Sequence, residues 1–290
     1  MNIVDIINIA AYRFITLDDL PALRARLKEQ CVALHLRGTI LLAPEGINLF
    51  LAGGADAIES FIDHLTTDGR FAGMEFKRSP SDHQPFNRML VKLKKEIIST
   101  GRPDISPALH PAPSLPAKTL KAWLDDGRDV VLLDARNRYE IKLGTFRRAQ
   151  QLGIDTFRDF PNRLRELDPA LKEKTIVTFC TGGIRCEKAA PALLDAGFRD
   201  VYQLAGGILK YFEEVGGAHY DGECFVFDRR VALNPQLEES GTVQCFNCLS
   251  PVTPEEQQSP AFVPDVSCPH CAEGKPVKRL AAALQDSPSR

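Results

Sequence analysis

The spacing of apolar residues changes several times along the chain, and each change marks an element. Residues 3–14 are rich in Ile and Val and predict a strand. Thr16 and Asp19 predict a helix start, after which Leu20, Leu23 and Leu27 recur at helical spacing. Two short apolar runs, 39–42 and 47–51, flank Pro44, Glu45 and Gly46 and predict a hairpin. Ile58, Phe61, Ile62 and Leu65 predict a second helix, and residues 74–77 and 88–92 predict further strands. The order β-α-β-β-α-β is that of a ferredoxin-like α+β domain, placed at residues 1–101.

Pro103, Pro107, Pro111, Pro113 and Pro116 punctuate residues 102–117 and predict an extended, semi-rigid linker. Beyond it the pattern switches. Leu120, Trp123 and Leu124 predict a short helix. Val130, Val131, Leu132 and Leu133 form a nearly continuous apolar strand ending at Asp134; residues 175–179 form another, ending at Cys180; residues 201–204 form a third. Such strands separated by helices predict a parallel sheet covered on both faces, an α/β domain at residues 118–233. Residues 234–290 are rich in Pro, Ser and Glu, hold four of the eight cysteines, and read as a small cysteine-rich tail too polar to build a core unaided.

Composition narrows the class. With 44% hydrophobic and 26% charged residues the chain is neither disordered nor fibrous. No apolar run reaches the roughly 20 residues of a membrane helix, and Met1 to Tyr12 lacks a basic leader, so a cytoplasmic protein with reduced cysteines and no membrane partner is expected. Eight cysteines in a reducing compartment point to metal or redox chemistry. The net charge is −2, yet between residues 70 and 102 eight cations face only Glu75, Asp82 and Glu96. That stripe, with Arg88, Lys92, Lys94 and Lys95 at its end and Phe86 as a possible stacking partner, is a candidate RNA contact; an ordinary solvated face is the alternative.

The densest chemistry lies at Cys180-Thr181-Gly182-Gly183-Ile184-Arg185-Cys186. The segment joins a buried strand to a helix marked by Ala189, Ala190, Leu193 and Leu194 and ended by Gly197. Parallel sheets place their chemistry at the carboxyl ends of strands. Two glycines let the loop curl with its N–H groups inward; those amides, the helix N-terminus and Arg185 favour a thiolate at Cys180. Cys186 is placed to resolve an oxidised Cys180 as a disulfide, or simply packs in the helix. Asp134 ends a strand beside this loop and either orients Arg136 and shapes a pocket or forms a turn; Arg136 supplies positive charge to the pocket or a surface ion pair. Cys245-x2-Cys248 and Cys268-x2-Cys271, nineteen residues apart, have the spacing of a structural zinc ribbon. His219, Asp221 and His270 have the residue types of an iron facial triad, but such sets recur by chance and His270 lies inside the second knuckle. No flavin or nicotinamide motif and no need for an obligate protein partner are evident.

Residues 118–215 resemble a rhodanese domain, through Leu133-Asp134-Ala135-Arg136 with Glu140, the Cys180 loop, and Leu204-Ala205-Gly206-Gly207-Ile208. The resemblance implies a persulfide on Cys180 and a pocket role for Asp134 and Arg136. Phosphatase relatives of this fold place five residues between Cys and Arg; here there are four, which implies sulfur chemistry. Across the whole chain, Ala43-Pro44-Glu45-Gly46-Ile47-Asn48, Cys180 through Lys188, and Gly222-Glu223-Cys224-Phe225-Val226-Phe227-Asp228 together resemble the tRNA uridine hydroxylase family of rhodanese-domain type. That resemblance implies an oxidoreductase converting the wobble uridine (position 34) of tRNA to 5-hydroxyuridine with molecular oxygen as co-substrate, the N-terminal domain gripping tRNA. A plain sulfurtransferase is the alternative, disfavoured by the added domain and its basic stripe; a non-catalytic binding module is disfavoured by the intact loop.

Overall fold

A computed structural model describes residues 6–102, 104–109 and 111–272. The start of the first predicted strand, Pro103 of the linker and the end of the cysteine-rich tail lie outside these residues. The N-terminal domain comprises β1 (Ile6–Phe14), α1 (Leu20–Ala33), β2 (Arg37–Ala43), β3 (Gly46–Gly54), α2 (Ala55–Thr67), β4 (Lys77–Ser81) and β5 (Met89–Leu93). Its sheet order is β4-β1-β3-β2-β5; the first four strands pair antiparallel, the ferredoxin-like order, and β5 adds in parallel beside β2. The expected strand at 74–77 begins only at its last residue. Met74 instead drops its side chain into the core from a turn closed onto Phe71, so the run does not alternate as a strand must.

Period-two alternation gives this sheet two different faces. Ile9, Ile40, Leu42, Ile47, Leu49 and Leu51 point toward the helices and pack with Leu23, Leu27 and Cys31 of α1 and Ile58, Phe61 and Leu65 of α2. Each such side chain contributes about 1.5–3 kcal/mol by burial. Their neighbours Ala10, Tyr12, Thr39, Leu41, Asn48 and Phe50 point the other way and line a cleft.

The second domain holds β6 (Ser114–Leu115), α3 (Ala117–Asp125), β7 (Val130–Asp134), α4 (Arg138–Ile141), β8 (Gly144–Phe146), β9 (Gln150–Gln151), α5 (Phe160–Leu164), β10 (Thr175–Phe179), α6 (Ile184–Asp195), β11 (Asp200–Leu204) and α7 (Gly207–Val215). The sheet order is β6-β11-β10-β7-β9, all parallel, with β10 central. Along β10, Ile176 faces one core with α5 and α6, whereas Val177 and Phe179 face another with α3 and α7. Both faces are therefore covered, as the continuous apolar strands predict. Helix α6 ends in a Schellman motif: Gly197 N–H donates to Leu194 and Phe198 N–H to Leu193. The proline-rich segment does not hang free: Ile105 and Ala112 are buried in the second core, and Ser114–Leu115 is the sheet's edge strand.

Beyond α7, β12 (Tyr220–Gly222) pairs with β8, and β13 (Cys224–Phe225) pairs with β14 (Ala232–Leu233). In the tail β15 (Val243–Gln244) and β16 (Pro251–Val252) carry a small cluster of Cys245, Cys248, Cys268, Cys271, Val252 and Phe262. No helix among the described residues is long and apolar enough to cross a membrane.

Candidate active site

Cys180 follows β10 at the carboxyl end of the parallel sheet, at the base of a cleft of about 880 Å³ between the two domains. The uncovered face of the first sheet forms one wall; the Cys180 loop and the segment around Phe227 form the others. The loop curls as expected. Gly183 adopts a left-handed φ of 97° at the N-cap of α6 and donates its N–H to Cys180 Sγ at 3.1 Å. From outside, the first turn of α7 grips the loop: Ile208 N–H donates to the Cys180 carbonyl at 2.9 Å and Leu209 N–H to the Thr181 carbonyl at 3.1 Å. This fit requires glycine at 207, where a Cβ would lie 2.4 Å from the Cys180 carbonyl oxygen.

Burial opposes ionisation of Cys180. A hydrogen bond from Cys186, the Arg185 charge and the N–H groups of Arg185 and Gly183 outweigh it and bring the thiol down to about 5. Burial and the neighbouring Cys180 push Cys186 the other way, well above the usual thiol range. Cys31 is pushed up to about 12 by burial alone, and Cys224 to about 12 by burial that outweighs the Arg136 charge and a hydrogen bond from Thr181; both are core residues. Cys186 is thus a buried packing residue of α6 close enough to the reactive sulfur to perturb its ionisation.

Arg185 is held by a residue outside the loop. Its guanidinium forms two parallel bonds of 2.6 Å with Glu140, which is fully buried; Thr181 Oγ1 lies 3.3 Å from Glu140 and 3.2 Å from the Phe225 carbonyl. At the start of α4 the Asn137 N–H donates to Glu140 Oε2 at 3.0 Å, the N3 half of a capping box, and this helps set the carboxylate's position. Glu140 is the site residue that sequence reasoning undervalues: it enters the rhodanese resemblance without a role, and its local signal is the capping-box spacing.

Asp134 and Arg136 depart from their expected pocket role. Asp134 does orient Arg136, with Nη2–Oδ2 at 2.7 Å, but both are fully buried and neither lines the cleft. Arg136 donates instead to the Gly144 carbonyl, and Thr145 donates to Asp134, so the pair braces β7 to β8. Fully buried, Arg136 presents no donor to a substrate in the cleft. The basic candidates divide: Lys94 and Lys95 line the cleft, whereas Arg88 and Lys92 are exposed on or beside β5, away from it. Phe86 is half-buried and off the cleft, while Phe227, 46% exposed, lies within it, 5.6 Å from the Arg185 guanidinium. The triad-like residues go to three different partners: His219 to Asp125, Asp221 to Arg147, and His270 to Glu256.

The three separated sequence motifs converge here. Lys188 of α6, fully buried, reaches Glu45 of the first domain's hairpin at 2.7 Å and Glu96 at 2.8 Å. Tyr12 donates to Glu187 at 3.1 Å, and Thr181 meets Phe225. The cysteines of the tail also gather: all four sulfurs lie within 4.8 Å of one another.

Fold and site define a rhodanese-like protein with an added N-terminal domain. Residues 116–214 match the rhodanese-like domain, and residues 6–97 match the UPF0176 acylphosphatase like domain. The chain is 55% identical over 275 residues to the tRNA uridine(34) hydroxylase of Cupriavidus metallidurans, covering 93% of this chain and 98% of that one. It is 56% identical over 277 residues to that of Burkholderia vietnamiensis (92% and 98%) and 53% identical over 287 residues to that of Paraburkholderia xenovorans (96% and 100%). The chain belongs to the tRNA uridine(34) hydroxylase family.

Proposed function

We propose that this protein hydroxylates uridine 34 of tRNA, with molecular oxygen as co-substrate and Cys180, in a persulfide form, as the reactive sulfur. The observation that carries the proposal is the placement of a stabilised thiolate at the base of a cleft walled by a second domain. A persulfide anion needs the donors that Cys180 already has: the inward amides and the Arg185 charge. Phe227 offers an exposed aromatic face in the same cleft for an unstacked base, and Lys94 and Lys95 offer charge to the flanking phosphates. A sulfurtransferase acting on a small acceptor has no use for this second wall, which favours the nucleic-acid substrate.

Mass spectrometry of nucleosides tests the proposal, using tRNA from a strain lacking the gene, complemented with wild type or with Cys180→Ser. Wild type is expected to restore 5-hydroxyuridine and Cys180→Ser is not. If neither changes the tRNA, the hydroxylase proposal fails and sulfur transfer replaces it.

We propose further that Cys245, Cys248, Cys268 and Cys271 hold a structural zinc ion. A zinc–thiolate tetrahedron with bonds of about 2.3 Å has sulfur–sulfur edges of about 3.8 Å. The observed separations are 3.9 Å for Cys245 to Cys271, 3.5 Å for Cys248 to Cys268 and 3.8 Å for Cys268 to Cys271. Four thiolates leave no open position, so the ion would fold the tail and take no part in catalysis. Elemental analysis is expected to find about one zinc per chain, lost in the Cys245→Ser/Cys248→Ser double variant; a metal-free wild type purified under reducing conditions would refute this.

A further inference from the structure

Three successive carbonyls of the active-site loop are held from outside. Those of Cys180 and Thr181 are held by α7 of the same domain. The third, that of Gly182, accepts from Lys77 Nζ at 2.7 Å, and Lys77 begins β4 of the N-terminal domain. The Gly182 carbonyl and the Gly183 N–H belong to one peptide unit. In a planar trans peptide they point in opposite directions. Pulling the carbonyl outward therefore aims the N–H inward, and that N–H is the one 3.1 Å from Cys180 Sγ.

We propose that Lys77 is a positioning residue for the reactive sulfur, supplied by the N-terminal domain: by holding the Gly182 carbonyl it turns the Gly183 N–H onto Cys180, so docking of the two domains completes the cradle. The glycines that make the loop pliable also make this peptide unit free to flip, and an outside donor removes that freedom. Tyr12 supports the same contact from β1. Its ring lies 5.5 Å from Lys77 Nζ, and its hydroxyl sits 2.9 Å from where a Gly183 Cβ would be. Besides Lys77, the ionisable groups facing the sulfur are Arg185 and Cys186 on α6 and Tyr12 on β1; those facing Lys77 are Glu75, Glu187 and Lys210.

The inference rests on Cys180 as the reactive sulfur. Its test reads ionisation and loop exchange without tRNA, so it can fail independently of the hydroxylase proposal. The full chain is titrated by thiolate ultraviolet absorbance, subtracting the same protein carrying Cys180→Ser so that the other seven cysteines cancel. Lys77→Met is expected to leave a thiolate fraction on the order of tenfold lower at a pH below the transition, the effect of losing one charge-assisted hydrogen bond. Hydrogen–deuterium exchange of residues 180–185 is expected to rise in the same variant. Lys77→Arg, which keeps a donor and the charge, is expected to behave as wild type in both measurements and serves as the folding control. An unshifted titration in Lys77→Met overturns the inference. So does a shift with unchanged exchange, which would make Lys77 a through-space charge only, or a Lys77→Arg variant as impaired as Lys77→Met.

Discussion

At Cys180 two opposed effects meet. A fully buried thiol should hold its proton, as Cys31 and Cys224 do, yet hydrogen bonds to the sulfur and the Arg185 charge reverse the sign. The reversal has a consequence for stability. A thiol lowered from 9.0 to about 5 on folding stabilises the native state fully above pH 9, and the contribution fades as pH falls toward 5. The melting-temperature gap between wild type and Cys180→Ser is therefore expected to narrow from pH 9 to pH 5. A gap independent of pH would show that the native thiol is not acidic. Cys180 and Arg185 were legible in the sequence because one short loop carries both, and a turn of that length brings its ends together whatever surrounds it. Glu140 was not. It stands 45 residues before Arg185, and only the packing of α4 against the loop joins them.

The elements were mostly legible where apolar periodicity was unbroken, as in α1, α2 and the strands β7, β10 and β11. The signal failed at β4, whose residues Lys77 to Ser81 carry no alternating apolar set because it is an edge strand. Helix α6 shows why one element serves two tasks. Its first turn presents Arg185 and Cys186 to the sulfur, and its next residues, Glu187 and Lys188, anchor the N-terminal domain. Replacing Lys188 with Met would leave Glu45 and Glu96 facing each other without their shared cation. Breaking a buried ion pair from one side costs about 3–5 kcal/mol, and the partial exposure of these carboxylates places the effect near about 3 kcal/mol. Urea denaturation is expected to show a lower midpoint and a separate early transition for the N-terminal domain. An unchanged single transition would mean that the ion triad does not hold the domains together.

At the scale of the molecule, the cleft belongs to neither domain alone. The first sheet covers one face with helices and turns the other to the rhodanese-like loop, so Lys77, Lys94 and Lys95 reach the same space as Cys180. If tRNA enters there, Lys94→Ala and Lys95→Ala should each weaken binding and reduce the salt dependence of the binding constant by about one ion per lysine. Arg88→Ala and Lys92→Ala, away from the cleft, should change it less. Filter binding across a salt series measures both. Equal effects from the two pairs would place the RNA along the β5 edge instead of in the cleft.

Whatever depends on neighbours along the chain could be read from residue order: the period of most strands and helices, the curl of the Cys180 loop, the spacing of the four tail cysteines, and the three motifs that mark the family. Which of those pieces meet is set by packing. It turned Asp134 and Arg136 inward as a brace, divided the basic stripe into a cleft half and an outer half, gave Arg185 its carboxylate, and set a lysine of one domain on a glycine carbonyl of the other. The physical reason is range. Backbone sterics and hydrophobic periodicity act over a few residues and can be read in order, whereas burial and ion pairing depend on distance in space, which only the packed fold defines.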